Sequence, residues 1–489
     1  MKGARLKHQL TMLVVAGSSG AVQLVTAVAG LLVARGMQPA QYGEVAYFMS
    51  VFSTIELLAA MGISTQVTTD VARLVGAGKL HESGEVIGPL LIARLATLLP
   101  VGVLALVFTL RGDGIGAAAA GVAVLMSVGT FLLGVTQALG RPRLVAGIQL
   151  GQSVLYLAVI VAWGRFSPER VFGSVAVSYG ACLAAAAASC LGLVPSWRFT
   201  WQDVRSRWRG FLSFSSQAYA ISLLLAPFGS LAVLALGWSG RFDDAAQFGV
   251  ALPLALIVPT ALNMVVVVQY YPRLCQLLSG DQGGAAEWID TFYRLFAVAG
   301  VAVAAGLAIF PTQSISLLFT DKYLAAAGPA RVLAAAVVPV TLGQLLVWTL
   351  VGYGKMKPAL LGGAVQLAAL AAAIVVCLGV PGTPLWALAI GQTAAALAGL
   401  AIWGAALRSS VVRYSWHAAR IALAAGAALA VCLVLRQLAG GISLSAVDEA
   451  GMLTVAGLAC LGVSAAILLL QPSRRPVLAP ARGSVSSFE

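Results

Sequence analysis

The tetrapeptide Ala40-Gln41-Tyr42-Gly43 returns about two hundred residues later as Ala246-Gln247-Phe248-Gly249, a spacing that suggests a duplicated unit. Further matches follow in the same order: Arg73-Leu74 with Arg273-Leu274, Arg94-Leu95 with Arg294-Leu295, and Gly140-Arg141-Pro142-Arg143 with Gly354-Lys355-Met356-Lys357-Pro358. Each pair of matches holds the same place relative to the long apolar segments around it. We therefore interpret the chain as an internal duplication of one unit.

The composition is that of a membrane protein. Hydrophobic residues make up 60% of the chain and charged residues 10%, with a mean hydropathy of +0.94, whereas about a quarter of the residues in soluble domains are charged. A membrane-spanning helix needs about 20 apolar residues. Fourteen segments qualify, at residues 10 to 34, 43 to 66, 88 to 110, 115 to 139, 146 to 164, 171 to 194, 210 to 236, 247 to 271, 291 to 310, 331 to 353, 359 to 379, 385 to 407, 418 to 438 and 450 to 470. The sequence predicts an all-α polytopic membrane protein.

The duplication groups the first twelve segments into two sets of six. Because an even number of crossings separates the sets, we predict two parallel six-helix bundles related by a pseudo-two-fold axis along the membrane normal, with the functional site between them. The predicted parts are an N-lobe (1 to 195), an amphipathic cytoplasmic linker containing Trp197, Trp201 and Trp208 (196 to 209), a C-lobe (210 to 407), helices thirteen and fourteen (408 to 471) and a disordered cytoplasmic tail (472 to 489).

Basic residues set the predicted orientation. With the amino terminus inside, twenty of the thirty Lys and Arg residues fall on the cytoplasmic side and eight on the outer side. This asymmetry predicts that both termini are cytoplasmic. It also explains the formal charge of +13 without a nucleic-acid partner. The first segment also resembles a secretory signal peptide, but its partner in the second copy favours a true first helix.

Few residues could support catalysis. The three histidines lie far apart in sequence, the outer loops are short, and the chain has no Gly-rich phosphate loop. We therefore expect no enzyme activity, no metal site and no cofactor. The six cysteines lack paired or metal-type spacing, which predicts small buried hydrophobic residues.

Polar residues inside the apolar segments are the candidate functional groups. Glu56 lies in the second segment, where an ionisable group costs about 2.5 to 3.5 kcal/mol on insertion scales, so we predict that it faces protein or water. It is the candidate for ion coupling, and a neutral structural role is the alternative. Small polar stripes lie on three segments, with close helix packing as the other interpretation: Ser53, Glu56, Ala60 and Ser64; Ser19, Gln23, Thr26 and Gly30; and Ser215, Tyr219, Ser222, Ala226 and Ser230.

Arg94 and Arg294 occupy equivalent places in the two copies. Each side chain could extend to inner-leaflet phosphates. Together they could instead place positive charge on both walls of a central cavity that binds a phosphate-bearing cargo. The predicted cavity residues are Arg94, Arg294, Arg35, Gln23, Gln217 and Asn263.

Several short motifs resemble those of the Wzx-type polysaccharide flippases of the MOP superfamily, whose relatives include the MATE exporters and the peptidoglycan-precursor flippase. The motifs are Arg35, Pro39, Tyr42 and Gly43; Gly62-Ile63-Ser64; Asp70 to Arg73; and the basic turns at Arg141 to Arg143 and Lys355 to Lys357. The resemblance covers nearly the whole chain, and twelve helices plus two is the family's usual count.

This resemblance implies export of a polyprenyl-pyrophosphate-linked oligosaccharide from the inner to the outer leaflet by alternating access, for exopolysaccharide, capsule or O-antigen assembly. It also implies membrane lipids and the polysaccharide polymerase and export machinery as partners. The alternatives are a MATE-like ion-coupled exporter of small molecules, an integral-membrane polymerase or glycosyltransferase, and a structural member of the assembly complex. Unlike many MATE exporters, the chain has no acidic residue in its first helix.

Overall fold

The computed structural model describes residues 20 to 60, 63 to 76, 79 to 164, 166 to 194, 219 to 220, 229 to 266, 270 to 280, 282 to 380, 383 to 408, 414 to 439 and 446 to 469. Within these ranges all regular secondary structure is helical. The chain divides into two compact units, Met1–Ala246 and Gln247–Glu489.

The first unit contains nine described helices. They are α1 (Gly20–Gly36), α2 (Pro39–Ala60), α3 (Ile63–Gly76), α4 (Ser83–Thr97), α5 (Leu99–Leu110), α6 (Gly114–Ala138), α7 (Pro142–Ala162), α8 (Pro168–Leu193) and α9 (Leu231–Trp238). A 3₁₀ turn at Leu80–Glu82 precedes α4.

The next helix, α10 (Phe242–Val265), begins in the last residues of the first unit and continues into the second. The second unit goes on with α11 (Tyr271–Gly280), α12 (Gln282–Ile309), α13 (Pro311–Leu318), α14 (Ala327–Gly352), α15 (Met356–Gly379), α16 (Leu385–Arg408), α17 (Tyr414–Ala439) and α18 (Ala446–Leu469). A 3₁₀ segment at Asp321–Ala326 precedes α14.

The described helices confirm a multi-pass membrane protein. Ten helical stretches among them are long and apolar enough to cross a membrane, with α4 and α5 counting as one stretch, and Gly20–Gly36 and Leu453–Ile467 are shorter apolar helices. Each of the fourteen predicted segments overlaps a helix, although the seventh is described only at residues 219 to 220 and from residue 229 onward. The predicted linker and tail lie outside the described residues.

The predicted second segment was wrong at its carboxyl end. The sequence predicted one helix over residues 43 to 66, whereas α2 ends at Ala60 and α3 begins at Ile63. Ile63, Val67 and Val71 are fully buried and recur every four residues, so α3 is amphipathic and packs its apolar face on α4 and α6. Apolarity alone did not mark the end of α2, because Ile63 continues the apolar run before the polar residues Ser64, Thr65 and Gln66. Ser64 of the predicted stripe therefore belongs to a different helix from Glu56.

Close contacts around α2 organise the core of the first unit. Phe48 stacks on Phe172 of α8 with ring centroids 4.3 Å apart, and Phe52 contacts Tyr179 of the same helix. At the other end, a Cβ atom on Gly43 would lie 1.8 Å from the carbonyl oxygen of Phe242. A side chain at position 43 is therefore sterically excluded.

The matched sequence motifs fall on matching elements. Arg73-Leu74 lies in α3 and Arg273-Leu274 in α11, and each is a short helix that follows a long one. The two basic turns each begin with a glycine in the left-handed region, Gly140 at φ 80° and Gly354 at φ 68°. Only glycine adopts this conformation readily, so the turns require it.

The lobe limits stay a prediction. The last turns of the predicted seventh helix, α9, pack against α2 within the first unit. Helices α17 and α18, which have no counterpart in the first copy, pack on each other and on α12 of the second unit.

Two cysteines come together although their sequence spacing gave no sign of it. The Sγ atoms of Cys432 on α17 and Cys460 on α18 are 3.1 Å apart, and both side chains are fully buried. Cys182, Cys190 and Cys377 are buried as predicted, whereas Cys275 is exposed.

Candidate functional site

Arg94 is fully buried in the first unit and links three helices. From α4, its Nε donates to the carbonyl oxygen of Ser127 on α6 at 3.1 Å, and its Nη1 donates to the carbonyl oxygen of Ala59 on α2. Thr97 Oγ1, one turn further along α4, also donates to the Ala59 oxygen at 3.2 Å.

The bonds to Ala59 provide hydrogen-bond donors for a carbonyl group at the carboxyl end of α2. Ala59 is in the last turn of α2, where carbonyl groups lack partners within the helix and carry the negative end of its dipole. A guanidinium is well suited to that position because it brings positive charge and several N–H donors. Arg94 thus stabilises the point at which α2 stops before α3.

One part of the guanidinium is unused. The Nη2 atom of Arg94 is buried and has no hydrogen-bond partner among the described residues. Leaving such a donor unsatisfied costs about 1 to 3 kcal/mol, and more for charged groups. An oxygen atom of a ligand or of a water molecule would remove that cost.

Acidic and phenolic groups surround Arg94. The half-buried Glu56 carboxylate, one turn before Ala59 on α2, interacts electrostatically with the Arg94 guanidinium and with Tyr179 of α8. No direct ion pair joins Glu56 and Arg94 in the described part of the chain. Tyr219 Oη donates to the carbonyl oxygen of Leu58 at 2.8 Å and lies within the field of Arg94. We call Glu56, Arg94, Tyr179 and Tyr219 the Arg94 cluster.

The equivalent arginine in the second unit is bound differently. Arg294 Nη2 lies 2.6 Å from Asp290 Oδ2, one turn earlier on α12, and the two side chains are 13% and 19% exposed. The residue at the matching place before Arg94 is Leu90. The first copy therefore holds its arginine with main-chain carbonyls of other helices, and the second copy neutralises its arginine on the same helix.

The remaining predicted cavity residues are distributed over both units. Gln23 and Arg35 are exposed on α1 in the first unit, and Asn263 is half-buried on α10 in the second. Gln217 lies outside the described residues. The structure brings Glu56 and Arg94 into one cluster, while the cavity role of the set as a whole stays a prediction.

The sequence could identify only part of this cluster. Glu56 and Arg94 stood out as charged residues in apolar segments, and Tyr219 stood out on a polar stripe. Thr97 carried a weak signal, since it lies one turn from Arg94 on the same helix. The acceptors on Ala59 and Ser127 are main-chain oxygens, which have no sequence signature.

Known structures share this fold. No protein-family model matches the sequence, and comparison with curated proteins gives no match. The lipid II flippase MurJ in an inward closed conformation superposes with a TM-score of 0.66 at 8% identity, covering 93% of this chain and 98% of MurJ.

Two exporters are also similar. An inward-facing multidrug resistance MATE family transporter of the MOP superfamily gives a TM-score of 0.59 at 16% identity, over 79% of this chain and 95% of that one. The eukaryotic MATE transporter AtDTX14 gives 0.56 at 17% identity, over 82% and 96%. At these identities the likeness concerns the fold. The chain has the fold that the lipid II flippase MurJ and the MATE transporters share.

Proposed function

We propose that this protein moves a polyprenyl-pyrophosphate-linked oligosaccharide from the cytoplasmic to the outer leaflet of a bacterial inner membrane by alternating access. The observation that carries the proposal is the Arg94 cluster, a buried guanidinium beside an acidic residue, whose Nη2 atom has no hydrogen-bond partner among the described residues. Ionisable groups at membrane depth usually mark a substrate or ion pathway.

A phosphate group suits the unused donor of Arg94. Guanidinium groups bind phosphate oxygens through charge-assisted hydrogen bonds that are stronger than neutral ones. Arg294, whose charge Asp290 balances, would offer less positive field to the same cargo. The likeness to MurJ over nearly the whole of both chains supports a lipid-linked cargo.

In the proposed transport cycle, Glu56 couples movement of the cargo to a proton. An ionised Glu56 would repel a diphosphate and compete for Arg94, whereas a protonated Glu56 would do neither. We therefore assign Glu56 as the residue that takes up the coupling proton.

The test is complementation of a strain that lacks the gene. The deletion should accumulate a lipid-linked glycan on the inner leaflet, and the wild-type chain should restore export. Arg94→Ala and Glu56→Gln should each reduce export at least about tenfold, since one charge-assisted hydrogen bond is worth about 1.5 to 3 kcal/mol. The control is Arg436→Gln, which removes an exposed arginine near the end of α17 and should export normally.

Two results would contradict the scheme. Wild-type export by Glu56→Gln at normal protein levels would remove Glu56 from the coupling step. Deletion without accumulation of any lipid-linked glycan would remove the cargo.

A second candidate is a small-molecule exporter of the MATE type, favoured by the two MATE structures that match at 16% and 17% identity against 8% for MurJ. An efflux assay in the same deletion strain separates the two functions. Drug sensitivity that the wild-type chain relieves, with no accumulated glycan, would establish the exporter. The solved structures of this fold named above are transporters, which argues against the polymerase or glycosyltransferase alternative.

A further inference from the structure

A cavity of about 810 Å³ opens in the first unit between the turn that joins α6 to α7 and the last turns of α8. Its wall includes Arg141, Arg143 and Leu144 on one side, and Ser189, Gly192 and Leu193 on the other. We call it the turn pocket. Pockets of about 300 to 1,000 Å³ are large enough to bind small molecules.

The turn pocket is electropositive. Both arginines are exposed, and the described lining contains no acidic residue. The wall also includes the amino-terminal end of the 21-residue helix α7, which no side chain caps. This helix begins at Pro142, which has no N–H, and the N–H of Leu144 already donates to the carbonyl oxygen of Arg141, so the helix end contributes the positive end of its dipole rather than a row of free donors. Two guanidinium groups and this helix end make a field that favours an anion.

The second copy shows what the same place looks like when it is closed. There Lys355, from the equivalent glycine turn, extends its Nζ to within 3.4 Å of the carbonyl oxygen of Ala406 near the end of α16. The corresponding cation therefore bridges its turn to the end of the neighbouring helix. In the first copy the space between the turn and the end of α8 stays open.

Apolar side chains flank the charged part of the pocket. Leu144, which is 42% exposed, and Leu193 both belong to the wall of the pocket, beside the arginines and beside Gly192 respectively. The charge distribution of the sequence predicts this end of α7 and α8 on the cytoplasmic side of the membrane. A ligand with an anionic head and a hydrocarbon tail would match both surfaces at once, whereas a free phosphate ion would use only one.

We propose that the turn pocket binds the phosphate group of a lipid in the cytoplasmic leaflet, with Arg141 and Arg143 as its ligands and Leu144 and Leu193 against the acyl chain. The phosphate could belong to an anionic phospholipid of the bilayer or to a polyprenyl pyrophosphate. In either case the site is separate from the Arg94 cluster and independent of whether the chain exports a glycan.

The test is lipid binding by the purified full-length protein, measured by native mass spectrometry after titration. The probes are phosphatidylglycerol, polyprenyl pyrophosphate and zwitterionic phosphatidylcholine. Arg141→Gln with Arg143→Gln should weaken binding of at least one anionic lipid about tenfold or more and should leave phosphatidylcholine unchanged. A loss confined to phosphatidylglycerol identifies a bilayer lipid, and a loss confined to the pyrophosphate identifies the carrier.

Two further variants keep the result interpretable. Gly192→Leu should also abolish the anionic preference by filling the pocket without changing charge. A Cβ atom at Gly192 meets nothing within 4 Å, so this protein should fold. Lys355→Gln with Lys357→Gln is the matched control in the second copy and should bind as the wild type does.

Two results of the lipid-binding experiment would overturn the proposal. Unchanged binding of both anionic lipids by Gly192→Leu and by the double arginine variant would overturn the proposal, because neither space nor charge at this place would then matter. An equal loss in the lysine control would also overturn it, since the effect would then be that of net charge alone. Thermal unfolding of each variant near the wild-type temperature establishes that folding is intact.

Discussion

Gly43 shows how a single residue of the repeated tetrapeptide is fixed by sterics. Its Cα faces the main chain of Phe242 so closely that a methyl group would lie 1.8 Å from the carbonyl oxygen and 2.5 Å from the carbonyl carbon. Backbone atoms cannot move aside as the end of a side chain can. The close approach of α2 to the main chain of Phe242 therefore requires glycine at position 43.

Gly43→Ala should lower stability by roughly 1 to 3 kcal/mol, the usual cost of overpacking. The measurement is the thermal unfolding temperature of the purified protein in detergent. Gly147→Ala on α7 is the control, because a Cβ atom there meets nothing within 4 Å. It should be neutral or slightly stabilising, since alanine favours helix more than glycine does. Equal unfolding temperatures for the two variants would show that α2 and Phe242 do not touch.

Arg94 offers a second test at the same scale. Arg94→Gln removes the buried cation near Glu56 and the main-chain bonds to Ala59 and Ser127, and it should cost about 1 to 3 kcal/mol. Arg94→Lys keeps the charge but cannot reproduce the forked geometry, so it should be intermediate. Thermal unfolding and export should be measured together. If Arg94→Gln unfolds at the wild-type temperature, the carbonyl contacts contribute nothing to the fold.

At the residue scale, the sequence offered a signal only where the side chain itself carries the charge. Glu56 and Arg94 were identified because a charge in an apolar segment is expensive and must have a reason. Their surroundings were not predictable, because the acceptors of Arg94 are main-chain oxygens brought near by the end of α2. The role of Gly43 was likewise invisible, since its neighbour lies about two hundred residues away in the chain.

At the scale of elements, the apolar segments were sufficient to locate the helices but not their ends. Segment length and hydropathy located segments that each overlap a described helix, since burial in lipid requires a continuous apolar run. They failed at the boundary between α2 and α3, because the predicted segment ran on to residue 66 whereas α2 ends at Ala60. An amphipathic pattern in Ile63, Val67 and Val71 was the available signal.

Cys432 and Cys460 give a test of the packing of α17 on α18. With their Sγ atoms 3.1 Å apart, oxidation of the two thiols by copper phenanthroline should form a disulfide between the helices. A protease site placed within residues 440 to 445 would cut the chain between them. The two fragments should stay joined on a non-reducing gel and separate when a thiol reductant is added.

Cys432→Ser is the control for this cross-link, and its fragments should separate with or without reductant. Fragments of the wild-type chain that separate before reduction would contradict the packing of α17 on α18. The remaining cysteines provide an internal comparison, because none of them faces another cysteine among the described hydrogen bonds.

At the scale of the whole molecule, the distribution of basic residues predicts which side each loop faces. Alkaline phosphatase fused after Gly112, between α5 and α6, should be active because the enzyme folds only outside the cytoplasm. A green fluorescent protein fused after Gly140, between α6 and α7, should fluoresce. The physical reason is the positive-inside bias of twenty basic residues against eight. The reverse pattern of activity would invert the orientation and move the turn pocket to the outer leaflet.

The duplication is the feature of the whole molecule that the sequence predicted most completely. Matched dipeptides and glycine turns fall on matching helices in each unit. The sequence did not predict how the two copies differ, because the difference lies in the contacts of the matched residues and not in the residues themselves. Arg94 and Arg294 are identical residues at equivalent positions, but they have different partners.

That divergence has a consequence for engineering. Asp290 lies on the same helix as Arg294, so transplanting α12 moves both members of this ion pair together. Transplanting α4 alone would instead separate Arg94 from its carbonyl acceptors on α2 and α6. A hybrid built from two second copies would have no arginine with the contacts of Arg94, and we expect it to fold but to bind anions more weakly.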